Sequence, residues 1–303
     1  MRYLPKLQQL QAFQSVILHG SISAAAKALE QSQPGITRSL RELEQILGTP
    51  LLIRGGGGVM PTEAGRLFNA RIELVLNELE RALDELEQFN HSNSGTVVMG
   101  VSSLSLFTVY PEAVKKFRRK HPKSNITNME GQVSELLPAL RTGKLDFIMG
   151  VDIPSDYLSG IVLEPLFKTS YAIYVRKGHQ LANCTSLEEL KGADWFLPVT
   201  TMGHKNNIDS LLSEFINRQC KTVMRGTGSA AIQMALHADY LTIATESLAR
   251  SHFLAQNFCT IPVKEPLPKA EFSLIYSSER PLTSAARCLM DEFRRECQNY
   301  KWD

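Results

Sequence analysis

Residues 20–54 read GSISAAAKALEQSQPGITRSLRELEQILGTPLLIR, and this stretch decides the nature of the first domain. Ser23 is placed to cap a short helix over AAAKALE, its hydroxyl meeting a free amide of the first turn. Ser32 is placed to cap a second helix over QPGITRSLRELEQIL, with Pro34 in the first turn, where few amides need partners. Along that second helix Ile36, Leu40, Leu43 and Leu47 form one apolar stripe, so Gln33, Thr37, Arg38 and Arg41 point elsewhere. Upstream, Leu7, Leu10, Phe13 and Ile17 recur at helical spacing until Gly20, a C-terminal stop. A short helix, a turn and a second helix with a polar, basic outer face is helix-turn-helix geometry.

Such a face suits duplex DNA. Arginine forms two hydrogen bonds to a guanine edge and glutamine pairs with adenine, both in the major groove. Ser23, Lys27 and Ser32 fit phosphate contacts, which fix register without reading sequence. An ordinary solvated helix face contains the same residue types. Beyond Gly48, PLLIR and VMPT flank Gly55–Gly58, two short strands around a glycine turn that would form a wing. Arg54 at its base fits a minor groove, where narrow A·T tracts concentrate negative potential. The glycines carry no charge, which predicts a weak grip.

Thr62 is placed to cap a long helix from Glu63 to about Phe89. Phe68, Ile72, Val75, Leu79, Ala82, Leu86 and Phe89 alternate in steps of four and three, a coiled-coil seam widened by Leu76 and Leu83. The expected partner is the same helix of a second subunit; packing onto the chain's own core is the alternative. HSNSG at 91–95 reads as a polar linker.

From residue 96 strand and helix patterns alternate. TVVMGV, NITNME, LDFIMGV, YAIYV, TVMRG, YLTIAT, TIPV and EFSLIYS read as strands. Helices are expected at 110–121, 133–143, near 208–219, at SAAIQMALHA and at 284–300. That alternation predicts two α/β lobes with parallel sheets, and ligands in such sheets bind beyond the carboxyl ends of strands.

Composition narrows the class. The 303 residues are 43% hydrophobic and 21% charged, with a net charge of +2, which excludes a disordered chain and a bulk polycation. The charge is uneven: residues 1–66 hold seven basic and four acidic side chains, residues 67–90 two basic and six acidic. Only the head is therefore expected to meet a polyanion. The five cysteines show no CxxC spacing and fit a reducing compartment, with a redox pair as the alternative. There is no signal-peptide core near the start and no long apolar run, so a cytoplasmic location without membrane contact is expected. No G-x-S-x-G elbow, P-loop, HExxH or metal-ligand spacing is present. No catalytic residue, metal or cofactor is therefore expected. A catalytic or plain solute-binding α/β protein remains the competing reading.

The stretch at 20–54 followed by PTEAG resembles the N-terminal signature of LysR-type transcriptional regulators. FRRKHP, LRTGKLDFIMG, EPLF and KGHQLA resemble the same family at matching distances, so the resemblance runs the whole chain. It implies a winged helix-turn-helix over residues 1–62, a dimerisation helix over 63–92 and an effector domain over 93–303. The overall class is then α/β with an all-α N-terminal domain and a two-lobed, periplasmic-binding-protein-like C-terminal domain. Its lobes are expected at about 93–165 with 266–303, and at about 166–265.

The resemblance also implies partners and sites. The partners are double-stranded promoter DNA, further copies of the chain (commonly a dimer of dimers), RNA polymerase where the regulator activates, and a small-molecule effector. Gln33, Pro34, Thr37 and Arg38 fall where the family touches bases and nearby backbone, and Arg54 falls on its wing arginine. The family's basic residues after that arginine are here GGGG. The effector positions match Ser102, Ser103, Gln132 and Gly150 on one side, and Thr200, Thr201, His204 and Thr227 on the other. Hydroxyls, amides and a helix N-terminus suit a carboxylate or similar anion. Each is equally a satisfied loop residue or helix cap.

Overall fold

The computed structural model describes residues 3–55, 58–90, 95–153, 155–198 and 222–302. The chain forms two compact units, Met1–Leu83 and Asp84–Asp303.

The first unit begins with α1 (Leu7–His19), ended by Gly20 in the left-handed region at φ +69°. α2 (Ile22–Ala28) and α3 (Gln33–Leu47) follow. The cap of α2 is Ser21 rather than the expected Ser23: its Oγ accepts from the Ala24 amide at 3.1 Å. A cap must be the last extended residue before the first turn, which Ser21 is, whereas Ser23 is already helical. Ser32 caps α3 as expected, accepting from the Gly35 amide at 3.2 Å. Phe13 and Val16 of α1, Ala25 and Ala26 of α2, and Ile36, Leu40 and Leu43 of α3 close a buried core. The two alanines let α2 lie close on its neighbours.

β1 (Leu52–Gly55) and β2 (Gly58–Pro61) pair antiparallel as the wing. The Val59 amide donates to the Gly20 carbonyl at 2.9 Å, tying the wing's base to the end of α1. α4 (Glu63–Asn90) then begins under the cap of Thr62, which accepts from the Gly65 amide at 2.9 Å. Phe68 and Ile72, expected on an intersubunit seam, instead belong to the core of this unit. Ile72 is buried there with Leu76, and Phe68 lies 5.9 Å from Phe13, ring centre to ring centre.

The second unit runs β3 (Thr96–Val101), α5 (Ser103–Phe107), α6 (Tyr110–Lys120), β4 (Asn125–Glu130), α7 (Val133–Arg141) and β5 (Phe147–Val151). After these come β6 (Ile161–Arg176), β7 (Asp194–Pro198), β8 (Thr222–Gly226), α8 (Gly228–His237) and β9 (Leu241–Thr245). It closes with α9 (His252–Asn257), β10 (Phe258–Ile261), β11 (Lys269–Ser277) and α10 (Ser284–Asn299). The helix expected near 208–219 lies outside the described residues.

Among the described residues the strands order β4-β3-β5-β11-β6-β9-β7-β8, with β10 also on β6. The sheet is mixed rather than parallel: β3 pairs parallel with β4 and β5, and β7 with β8 and β9, but β6 and β11 run against their neighbours. The reason lies in β6. The expected YAIYV is only the end of a 16-residue strand. Its first part, Ile161–Ser170, pairs with β11, and from Tyr171 it pairs with β9 and β10. One strand thus serves both lobes, and partners change between Ser170 and Tyr171. At the change the C-terminus is fastened: Trp302 stacks on Phe167 at 3.3 Å, and Thr169 Oγ1 donates to the Trp302 carbonyl at 3.3 Å.

Candidate functional site

The head presents one polar face. Ile36, Leu40 and Leu43 turn inward, which leaves Gln33, Pro34, Arg38 and Arg41 exposed and Thr37 half-buried. Ser23, Lys27 and Ser32 are exposed beside them. Ser23, displaced from its expected capping role, accepts a hydrogen bond from Gln33 Nε2 at 3.1 Å, clasping α2 to the start of α3. Arg38 pairs with Glu42 one turn on, at 2.9 Å, and Glu42 also accepts from Gln9 at 3.0 Å. Those two hydrogen bonds, Arg38 first, hold the Glu42 carboxyl below its ordinary range. The pair aims the guanidinium along the exposed face. The backbone of Arg54 is in β1, but its side chain lies outside the described residues, as does that of Phe89 on α4.

Glu44 is a supporting residue that the apolar pattern of α3 did not disclose. Its Oε1 accepts from the amides of Leu51 at 2.7 Å and Leu52 at 3.1 Å, fixing the step from α3 into the wing. Bonds to a charged acceptor are worth roughly 1.5–3 kcal/mol each, so losing both in Glu44→Ala is expected to destabilise the head by about 3–6 kcal/mol. Urea unfolding would show a lower midpoint, and the Leu51 and Leu52 amides would lose hydrogen-exchange protection.

In the α/β unit, Ser102, Ser103 and Gln132 come together, lining a cavity of about 150 Å³. Its walls are mainly apolar, with Leu104, Ile232, Leu248 and Phe272, and its polar groups include Tyr171, Thr242 and Thr245. Burial pushes the Tyr171 phenol up to about 12, so it remains protonated. A neighbouring hollow of about 180 Å³ shares Ser103, Gln132 and Gly228 and adds Glu130, Glu135, Thr227 and Ser229. Thr227 caps α8, accepting from the Ala230 amide at 3.2 Å.

Gly150 lies in neither wall. It is buried in β5, where a Cβ would sit 2.4 Å from Val133 Cγ2, so it makes room for α7. Thr200, Thr201 and His204 lie outside the described residues. Glu130 was missed by sequence reading, although it ends β4 at the carboxyl edge where ligands collect. Thr242 carried no signal, being a mid-strand threonine.

Cys220 lies outside the described residues, and the described thiols give no support to a redox pair. Burial raises Cys184, Cys259 and Cys297, the last to about 12, away from the reactive thiolate. Among the described residues no His/Cys/Asp/Glu group could hold a metal, and no helix is long and apolar enough to cross a membrane.

A winged helix-turn-helix with an exposed reading face, joined to a two-lobed α/β unit with a cavity at its strand ends, defines a ligand-responsive DNA-binding regulator. The chain belongs to the LysR family. The family model for lysR-family bacterial regulatory helix-turn-helix proteins matches residues 7–66, and that for the LysR substrate binding domain matches residues 90–298. It is 32% identical over 297 residues to the HTH-type transcriptional regulator TdcA of Escherichia coli (strain K12), covering 98% of this chain and 95% of that protein. A probable RuBisCO transcriptional regulator of Nostoc sp. is 24% identical over 307 residues, with 98% and 90% covered. The crystal structure of CbnR, a LysR family transcriptional regulator, shares the fold at a TM-score of 0.70 and 19% identity, covering 96% of this chain and 99% of that one. These relatives are transcriptional regulators, and the chain is a regulator of that kind rather than an enzyme.

Proposed function

We propose that α3 reads promoter DNA in the major groove through Gln33, Pro34, Thr37, Arg38 and Arg41. Ser23, Lys27 and Ser32 hold the phosphates and Arg54 reaches the minor groove. The observation that carries this is the exposed polar face opposite the buried Ile36–Leu40–Leu43 stripe. CbnR, which shares the fold, has been crystallised with its target DNA. The chain works as a dimer, or a dimer of dimers, on half-sites about one helical turn or its multiples apart. It signals to RNA polymerase in the cytoplasm. A small effector occupies the cavity beside Ser102, Ser103 and Gln132, with Thr227 in the adjoining hollow and Thr200, Thr201 and His204 as its further contacts.

Genomic footprinting identifies the operator. On that operator Arg38→Ala is expected to weaken binding by roughly 1–3 kcal/mol, about fivefold to 150-fold, and to relax specificity at one base position. An unchanged footprint and affinity would refute the assignment.

A further inference from the structure

The effector was expected to carry a carboxylate or similar anion, and the described walls add a group of the opposite preference. Among the described residues neither the cavity nor the adjoining hollow contains a lysine, arginine or histidine. Instead a carboxylate stands where they meet. Glu130 Oε1 accepts from Ser103 Oγ and from Ser229 Oγ, each at 2.8 Å, bridging α5 and α8. Beside it is a donor pair. Thr227 Oγ1 takes the Ala230 amide and the Thr227 carbonyl takes that of Ala231, so the Gly228 and Ser229 amides begin the ten-residue α8 without a partner among the described residues. Such amides favour an anionic oxygen. Gly228 also presses on Ser103: a Cβ there would lie 2.6 Å from Ser103 Oγ.

Acceptor and donors are therefore adjacent, since Ser229 supplies both the hydroxyl held by Glu130 and one of the free amides. A ligand matching both places a cation and an anion on neighbouring atoms. Its remainder points into the inner cavity, whose size accommodates about six carbon atoms. In that cavity's wall Thr242 is 4% exposed and its Oγ1 has no hydrogen-bond partner among the described residues. A buried hydroxyl of this kind is costly unless something meets it.

We infer that the effector is a small α-amino acid. Its ammonium group sits on Glu130, its carboxylate on the Gly228 and Ser229 amides, and its short side chain in the inner cavity, with a polar atom reaching Thr242. This rests on the cavity being the effector site.

The test uses the full-length protein and four probes of matched shape, by thermal shift and calorimetry: L-norvaline, 2-oxopentanoate without the ammonium group, butylamine without the carboxylate, and L-homoserine with a terminal hydroxyl. Norvaline is expected to bind at least about tenfold more tightly than the oxo acid or the amine, and homoserine more tightly still. Glu130→Gln removes the discrimination against the oxo acid. The isosteric Thr242→Val removes the advantage of homoserine, and Ala231→Phe, which fills the cavity, abolishes all binding. If the oxo acid binds as well as norvaline and Ala231→Phe abolishes both, the amino-acid class is overturned and the cavity stands. If probe binding survives in a folded Ala231→Phe protein, the cavity reading itself falls. No shift with any probe at millimolar concentration also overturns the amino-acid class.

Discussion

A Gly65→Ala protein is expected to lose about 3 kcal/mol of stability in its head, and operator binding with it. Helix propensity alone predicts the opposite sign, since alanine in a helix is favoured over glycine by about 1 kcal/mol. Geometry reverses it. A Cβ on Gly65 would lie 2.1 Å from the Leu51 carbonyl oxygen and 3.3 Å from the Pro61 side chain. The oxygen cannot retreat freely, because it accepts from the Thr62 amide at 2.9 Å while the Leu51 amide is held by Glu44. Thr62 in turn donates through its hydroxyl to the Pro50 carbonyl at 3.0 Å. The start of α4, the end of α3 and the wing are thus locked together at one glycine. Gly48→Ala is the comparison: its φ is +69° but a Cβ there meets nothing within 4 Å, so a cost of only about 1 kcal/mol is expected. Urea titration and a gel shift distinguish them, and equal midpoints for the two variants would remove the steric account.

Leu79→Asp is expected to convert the proposed dimer to monomers at micromolar concentration and to reduce operator affinity at least about a hundredfold, through loss of the paired half-site contact. The stripe that begins with Phe68 and Ile72 is covered at the head end, yet farther along α4 Val75, Leu79, Leu83 and Leu86 are 40–60% exposed. Large aliphatic side chains repeated along one helix favour a partner surface, each contributing up to roughly 1.5–3 kcal/mol when fully buried. An aspartate amid such a surface would be buried without a partner charge. Sedimentation velocity reads the result directly. A profile unchanged from the parent protein would mean that the exposed half of the stripe is not the dimer contact.

The sequence was most informative where local chemistry and pattern agree. Ser32, Pro34 and the Ile36–Leu40–Leu43 stripe specify α3 through capping and periodicity, both short-range effects. The α2 boundary moved by two residues because Ser21 and Ser23 are both good caps, and only the backbone angles choose between them. The α4 stripe showed that an apolar surface existed, but periodicity does not say who covers it: Phe13 reaches Phe68 from another helix, far away in sequence. The mixed sheet was hidden for a similar reason. Strand direction depends on pairing partners, and β6 looked like a short run because its first part, LEPLFKT, lacks a clean alternation. In the cavity, Ser102, Ser103 and Gln132 were placed by the family resemblance, which puts effector positions just after strands. Thr242 and Glu130 gain their meaning only from what the fold places opposite them.

The long strand β6 has a mechanical consequence. Two lobes joined by flexible loops can swing apart like a clamshell, but a continuous strand resists bending while yielding to twist. Ile161–Arg176 is such a spar, held near its middle where Phe167 and Thr169 meet Trp302. An effector that draws α5 and α8 together would therefore wind the lobes about this axis. On that reading the signal passed along the strand would be a torque, with Trp302 as the clamp against which it is applied.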